Sequence, residues 1–151
     1  MANSITITTK SLDETRALGK KIGQRLKGSE LFAMMAELGG GKTSFTQGLA
    51  EGLSVVSRVT SPTFVLEKIY TKKPGDKPAL YHYDLYRLGE SEVADLDLWE
   101  NIGHAPMVIE WSEKIEKDLP QDAIRVKIST QSETKRTFVF EFNDDQKYLF
   151  N

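Results

Sequence analysis

Cysteine is missing from all 151 residues, which excludes disulfides and cysteine chemistry and suits a reducing compartment. No charge of either sign dominates: 20 Lys and Arg stand against 22 Asp and Glu, a net charge of −2. That balance leaves no broad basic footprint for gripping nucleic acid alone, so any nucleic acid is expected to be held mainly by a partner. No apolar run approaches membrane-spanning length, and Met1 to Lys10 lack the apolar stretch of a secretory signal. The expectation is a soluble, cytoplasmic protein with no membrane partner. Internal repeats, low-complexity tracts and a second domain boundary are also lacking, so residues 1–151 are read as one domain, long enough to bury a sizeable core.

Against these absences one stretch stands out. Ala36-Glu37-Leu38-Gly39-Gly40-Gly41-Lys42-Thr43 follows the apolar run Leu31 to Met35 and leads into a helical pattern. Glycines, then Lys and Thr, between a buried strand and a helix form the P-loop arrangement for a nucleotide triphosphate. The glycines let successive N–H groups turn inward on phosphate oxygens, and the helix beginning near Lys42 adds its unpaired N–H groups and dipole. Glu37, Leu38, Gly39, Gly40, Gly41, Lys42, Thr43 and Ser44 are the expected nucleotide contacts. Lys42 is expected on the β- and γ-phosphates and the Thr43 hydroxyl on Mg²⁺. The strict pattern opens with Gly where this chain has Ala36, a change that still supplies a small side chain. The guanine-reading Asn-Lys-x-Asp and an Asp-x-x-Gly switch are both missing, which argues for ATP over GTP.

The rest of the chain reads as a mixed α/β domain. Ile5 to Thr8 alternate as a strand; Ser11 and Glu14 form a capping box, with Leu18, Ile22 and Leu26 at helical spacing up to Gly28. Residues 30–36 read as a buried strand. Phe45, Leu49 and Leu53 make one stripe of the next helix, with Gly48 permitting close approach to a neighbour. Residues 64–70 and 80–85 form a hairpin about the Pro74-Gly75-Asp76 turn, and Glu90 to Trp99 are helical. Met107-Val108-Ile109 is a short buried strand ending at Glu110, and Ile124 to Ile128 pair with Phe138 to Phe142 in a C-terminal hairpin.

A P-loop needs a carboxylate near Mg²⁺ at the end of a neighbouring strand, and there are two candidates. Glu110 ends a strand apolar on both faces, hence central, and is favoured for the metal. Asp84, in the alternating Tyr81 to Arg87 segment, is placed nearer an edge, facing the nucleotide or orienting water. Taken alone, either is more often a structural carboxylate, at the surface or at a strand end, than a catalytic one. His82 reads as a packed, hydrogen-bonded side chain before a base; Arg87 is either an internal arginine finger or a partner of Glu90 or Glu92. Trp111 covers the site or packs in the core. Catalytic weight therefore falls on Lys42, Asp84 and Glu110.

Four motifs in order, Leu38-Gly39-Gly40-Gly41-Lys42-Thr43, Ser61-Pro62-Thr63-Phe64, His82-Tyr83-Asp84-Leu85-Tyr86-Arg87-Leu88 and Ile109-Glu110-Trp111-Ser112, resemble the TsaE family. These are small bacterial P-loop ATPases of tRNA threonylcarbamoyladenosine (t6A) biosynthesis. The resemblance spans roughly residues 5–130 and implies a P-loop NTPase-like mixed sheet flanked by helices, with antiparallel strands. It implies ATP and Mg²⁺ as cofactors, Thr43 and Glu110 as metal ligands, Asp84 at the active site and Thr63 in a switch-like segment. It also implies an adenine-side contact near Thr9 and an approach of Arg136 to the nucleotide. The implied partners are a threonylcarbamoyl-transferase subunit and its paralogue, a heterodimer. The chain's ATP cycle would support repeated tRNA modification without performing the transfer, and activity alone would be weak. Two other readings compete: a small-molecule or nucleoside kinase, for which 151 residues leave little room, and a non-hydrolysing nucleotide sensor.

Overall fold

The computed structural model describes residues 3–36, 41–55, 59 and 66–151. The expected nucleotide contacts Glu37, Leu38, Gly39 and Gly40, the Ser61-Pro62-Thr63-Phe64 motif and the side chain of Ala36 lie outside the described residues. The described residues form seven strands: β1 (Asn3–Thr9), β2 (Leu31–Ala36), β3 (Glu67–Tyr70), β4 (Leu80–Asp84), β5 (Met107–Glu110), β6 (Ile124–Thr130) and β7 (Arg136–Phe142). Four α-helices accompany them: α1 (Leu12–Gly23), α2 (Lys42–Gly52), α3 (Glu90–Ala94) and α4 (Leu98–Asn101). Two 3-10 helices, Ser112–Asp118 and Asp144–Leu149, follow β5 and β7.

One sheet in the order β1-β7-β6-β2-β5-β4-β3 runs through the molecule. β6, β2, β5 and β4 are mutually parallel; β1, β7 and the edge strand β3 run antiparallel to their neighbours. The expected mixed sheet and both hairpins are therefore present. Alternation along the central strands divides the core into two layers. Phe32 and Met34 of β2 pack with Phe45 and Leu49 of α2, Ile22 of α1, and Phe138 and Phe140 of β7. Leu31 and Ala33 face the other way, onto Tyr83, Ile109, Val93 of α3, Leu98 of α4 and Ile115.

α1 starts where Ser11 Oγ accepts from the Glu14 N–H at 3.0 Å, and the Glu14 carboxylate reaches back to the Lys10 N–H at 2.9 Å. The helix stops at Gly23, short of the expected Gly28. The helical run expected over 90–99 is broken into α3 and α4. The Val93 carbonyl, which a continuous helix would pair four residues on, instead accepts from the Leu96 N–H and from Trp99 Nε1.

α1 and α2 touch backbone to backbone. A Cβ at Gly48 would sit 2.1 Å from the Arg16 carbonyl oxygen, and one at Gly19 would sit 2.2 Å from that of Phe45. The anticipated role of Gly48 is thus met by glycines on both helices.

Candidate active site

Strand register assembles the site. Val126, Met34, Glu110 and Asp84 cross β6, β2, β5 and β4 in one row, and Ile124, Phe32, Val108 and His82 form the row before it. A spacing of two residues puts both rows on the α2 face. Apolar side chains fill these rows on β6 and β2 and at Val108 of β5, and the polar members are Glu110, Asp84 and His82. The carboxylates stand at the C-terminal ends of parallel strands, where α/β sheets receive ligands.

α2 brings Lys42 to this corner. Gly41 caps the helix with φ +89°, a left-handed conformation that favours glycine, and its carbonyl accepts from the Phe45 N–H. Lys42, the first helical residue, is only 6% exposed, with Nζ 3.5 Å from Glu110 Oε1. Glu110 is 2% exposed, and its second oxygen, Oε2, lies 2.5 Å from His82 Nε2. Burial alone would raise the Glu110 pKa, but the interactions with His82 and then with the Lys42 ammonium carry it below the usual carboxylate range. Glu110 is an anion clamped between two donors.

Asp84 corrects the sequence expectation. β4 is buried along its whole length and lies inside the edge strand β3, so Asp84 is an interior carboxylate, 2% exposed, directly beside Glu110. Tyr81 and Tyr83 pack on the opposite face of β4, in the second core layer, which explains why its alternation does not mark an edge. Asp84 Oδ1 accepts the Tyr86 N–H at 2.9 Å, turning the chain at the strand end.

The segment after β5 closes the corner. Trp111 adopts φ 61°, rare for a bulky residue, and Ser112 Oγ then donates to the Met34 carbonyl at 3.2 Å. The Trp111 ring lies 5.3 Å from Lys42 Nζ and 4.9 Å from the exposed Tyr86 ring, so it covers the site from the solvent side. Lys114 Nζ donates to the Tyr86 and Leu88 carbonyls, holding the turn after Asp84 against the 3-10 helix.

Thr43 and Ser44 occupy the first turn of α2, half-buried. Thr9 and Arg136 are register partners across β1 and β7, and the Arg136 stem lies against Gly41, where an added Cβ would sit 3.5 Å from its Cγ. Arg136 is thereby placed beside Gly41. Arg87 is exposed on the turn after Asp84. His104 is exposed near the N-terminal end of β5, the opposite end of the strand from Glu110, lining a cavity of about 480 Å³ with Leu26 and Lys77.

Sequence reasoning passed over the His82–Glu110 contact and the Lys114 clasp. The first had a signal: His82 and Asp84 are two apart in one strand and so share the face that Glu110 shares. The second had none, because Lys114 reaches across 26 and 28 residues to backbone oxygens.

A buried lysine opening the helix after a central parallel strand, faced by a carboxylate ending the next strand, defines a P-loop NTPase-like α/β domain. Within that class the chain belongs to the TsaE family: the family model described as "Threonylcarbamoyl adenosine biosynthesis protein TsaE" matches residues 9–138. The protein of that name from Streptomyces coelicolor is 42% identical over 115 residues, 75% of this chain and 77% of the relative. The one from Aquifex aeolicus is 40% identical over 132 residues, 86% of this chain and 90% of the relative. The crystal structure of YdiB from Bacillus subtilis superposes with a TM-score of 0.77 at 30% identity, covering 99% of this chain and 93% of that one.

Proposed function

We propose that this chain is a Mg²⁺-dependent ATPase of tRNA threonylcarbamoyladenosine biosynthesis. It would act beside a heterodimer of the threonylcarbamoyl-transferase subunit and its paralogue, which hold the tRNA. The observation that carries the reading is Lys42, buried at the first turn of α2 with Nζ 3.5 Å from Glu110 Oε1, in a chain of the TsaE family. Such a lysine is spaced to exchange its carboxylate partner for phosphate oxygens.

The donor set suits Mg²⁺, which takes hard oxygens and commonly uses one or two carboxylates together with substrate phosphates. Glu110 and the Thr43 hydroxyl would hold it, with Asp84 beside them; among the described residues no cluster of three or more metal-binding side chains occurs. When bound, Mg²⁺ neutralises charge developing on the phosphates. Lys42 and the amides of the P-loop bind and orient the triphosphate. Asp84 positions a water whose oxygen attacks the γ-phosphorus, while the bond to the β–γ bridging oxygen breaks to give ADP and inorganic phosphate. Trp111 limits access of bulk water. Coupling this cycle to the partner would support repeated turnover of the transferase, and a site completed by the partner would be slow alone.

The test is the t6A content of tRNA in cells depleted of this protein and supplied with wild type or Lys42→Ala. Restoration by wild type alone is expected. Unchanged t6A after depletion would remove the pathway assignment, and rescue by Lys42→Ala would remove the nucleotide role.

A further inference from the structure

We propose that His82 is the positioning residue for Glu110, committing Oε2 so that Oε1 is presented toward Lys42 and the start of α2; this rests on the reading of Glu110 as the Mg²⁺ ligand. The two oxygens of Glu110 are not equivalent. Oε2 is held by His82 Nε2 at 2.5 Å, and Oε1 faces Lys42 Nζ at 3.5 Å. A glutamate carboxylate otherwise turns broadly about its terminal torsion, and Mg²⁺ tolerates little deviation from octahedral geometry. A donor that fixes the carboxylate plane removes that freedom before the metal arrives, as outer-shell partners do at other metal sites.

The surroundings of His82 point to this role over a packing one. The ring is fully buried and one row behind the carboxylates, so it has no direct path to substrate. Nδ1 is buried with no hydrogen-bond partner among the described residues, while Nε2 is engaged only with Glu110. A histidine kept to knit β4 to the rest of the core would be expected to use both nitrogens, since burying an unpaired polar atom costs about 1–3 kcal/mol. The hydrogen on this ring is therefore assigned to Nε2, where Oε2 accepts it.

Two variants separate the donor from the volume. His82→Gln places an amide nitrogen near the position of Nε2, and His82→Leu fills the space without a donor. The readout is equilibrium binding of a fluorescent ADP across a Mg²⁺ titration, with ¹⁵N resonances of the imidazole recorded in the metal-free wild type. We expect His82→Leu to raise the Mg²⁺ half-saturation about 10-fold or more. His82→Gln should bring it back to within about 3-fold, and affinity without Mg²⁺ should stay within about 2-fold in both. The wild-type ring should show the Nε2–H tautomer. A half-saturation unchanged in His82→Leu overturns the proposal, and so does a ring protonated only at Nδ1, which needs no variant to fold. A wild type whose nucleotide affinity ignores Mg²⁺ overturns instead the reading of Glu110 on which the proposal rests, and the proposal with it.

Discussion

Two glutamates among the described residues are buried, and their partners differ in kind. Glu30 accepts from the N–H groups of Lys27, Gly28 and Ser29 at 2.7, 2.9 and 3.1 Å and from the Tyr148 hydroxyl at 2.6 Å. Burial pushes its pKa up, but the Tyr148 hydroxyl and these amides outweigh that and leave it lowered from 4.5. Backbone amides cannot leave, so this anion is built into the fold. Glu110 is held instead by two side chains, His82 and Lys42. A carboxylate whose pKa falls on folding contributes stability above its unfolded pKa, and that contribution is lost as pH drops through the folded value. Glu30→Gln should therefore cost about 1–3 kcal/mol at neutral pH. It should also flatten the decline of the unfolding midpoint below about pH 4.5. Thermal unfolding followed by circular dichroism between pH 7 and pH 3 checks this, and equal slopes in the two proteins would contradict it.

At the scale of elements, the helix that carries Lys42 is held by a seam some distance from it. α2 lies against α1 through Gly19 and Gly48, and each would drive a Cβ to within 2.2 Å of a backbone oxygen on the other helix. A backbone atom cannot step aside as a side chain can, so Gly48→Ala must push the helices apart. Overpacking of this kind costs about 1–3 kcal/mol or more, against which the helix propensity regained by alanine is only about 1 kcal/mol. The variant should be clearly destabilised in chemical denaturation. Its nucleotide affinity should also fall, since the start of α2 shifts relative to Glu110; undiminished stability would show that the seam has slack. The need for Gly48 was legible in the sequence, because a glycine beside the Phe45–Leu49 stripe has few other uses. Its counterpart Gly19 carried no such mark, and neither did the split between α3 and α4, which depends on Trp99 reaching a carbonyl that only the folded chain places near it.

For the molecule as a whole, what periodicity and strand-end chemistry could express was readable: the central β2 and β5, the two hairpins, α2 after the glycines, and Glu110 at its strand terminus. What depends on which strand lies beside which was not. Asp84 looked like an edge residue because β4 alternates in sequence, yet β4 lies between β5 and β3, and Asp84 is buried beside Glu110. The C-terminal 3-10 helix was likewise passed over, although Asn143 and Gln146 form a capping box just ahead of Tyr148 and Leu149. That helix closes the molecule. Leu149 is fully buried, Phe150 packs on Phe140 and Phe142 with ring centroids 5.0 and 4.5 Å away, and Tyr148 reaches Glu30. Gln146 Nε2 donates to the Asp122 carbonyl and Arg25 Nη1 to that of Leu149, so the clasp joins the loop before β6 to the end of α1. Fully burying one large apolar side chain contributes about 1.5–3 kcal/mol, so losing Leu149 alone removes roughly that much, and the half-buried Phe150 adds to the loss. A domain of this size has only about 5–15 kcal/mol of net stability. Truncation after Asn143 should therefore leave a chain that unfolds near physiological temperature, with Phe140 and Phe142 newly exposed. Since no clasp residue lies at the Lys42 corner, ATP with Mg²⁺ should still raise the truncated chain's melting temperature wherever it remains folded. A truncated chain as heat-resistant as the intact one would show the clasp to be decorative. One that stays folded but gains nothing from nucleotide would show that the C-terminus reaches the site in a way the α2 face does not reveal.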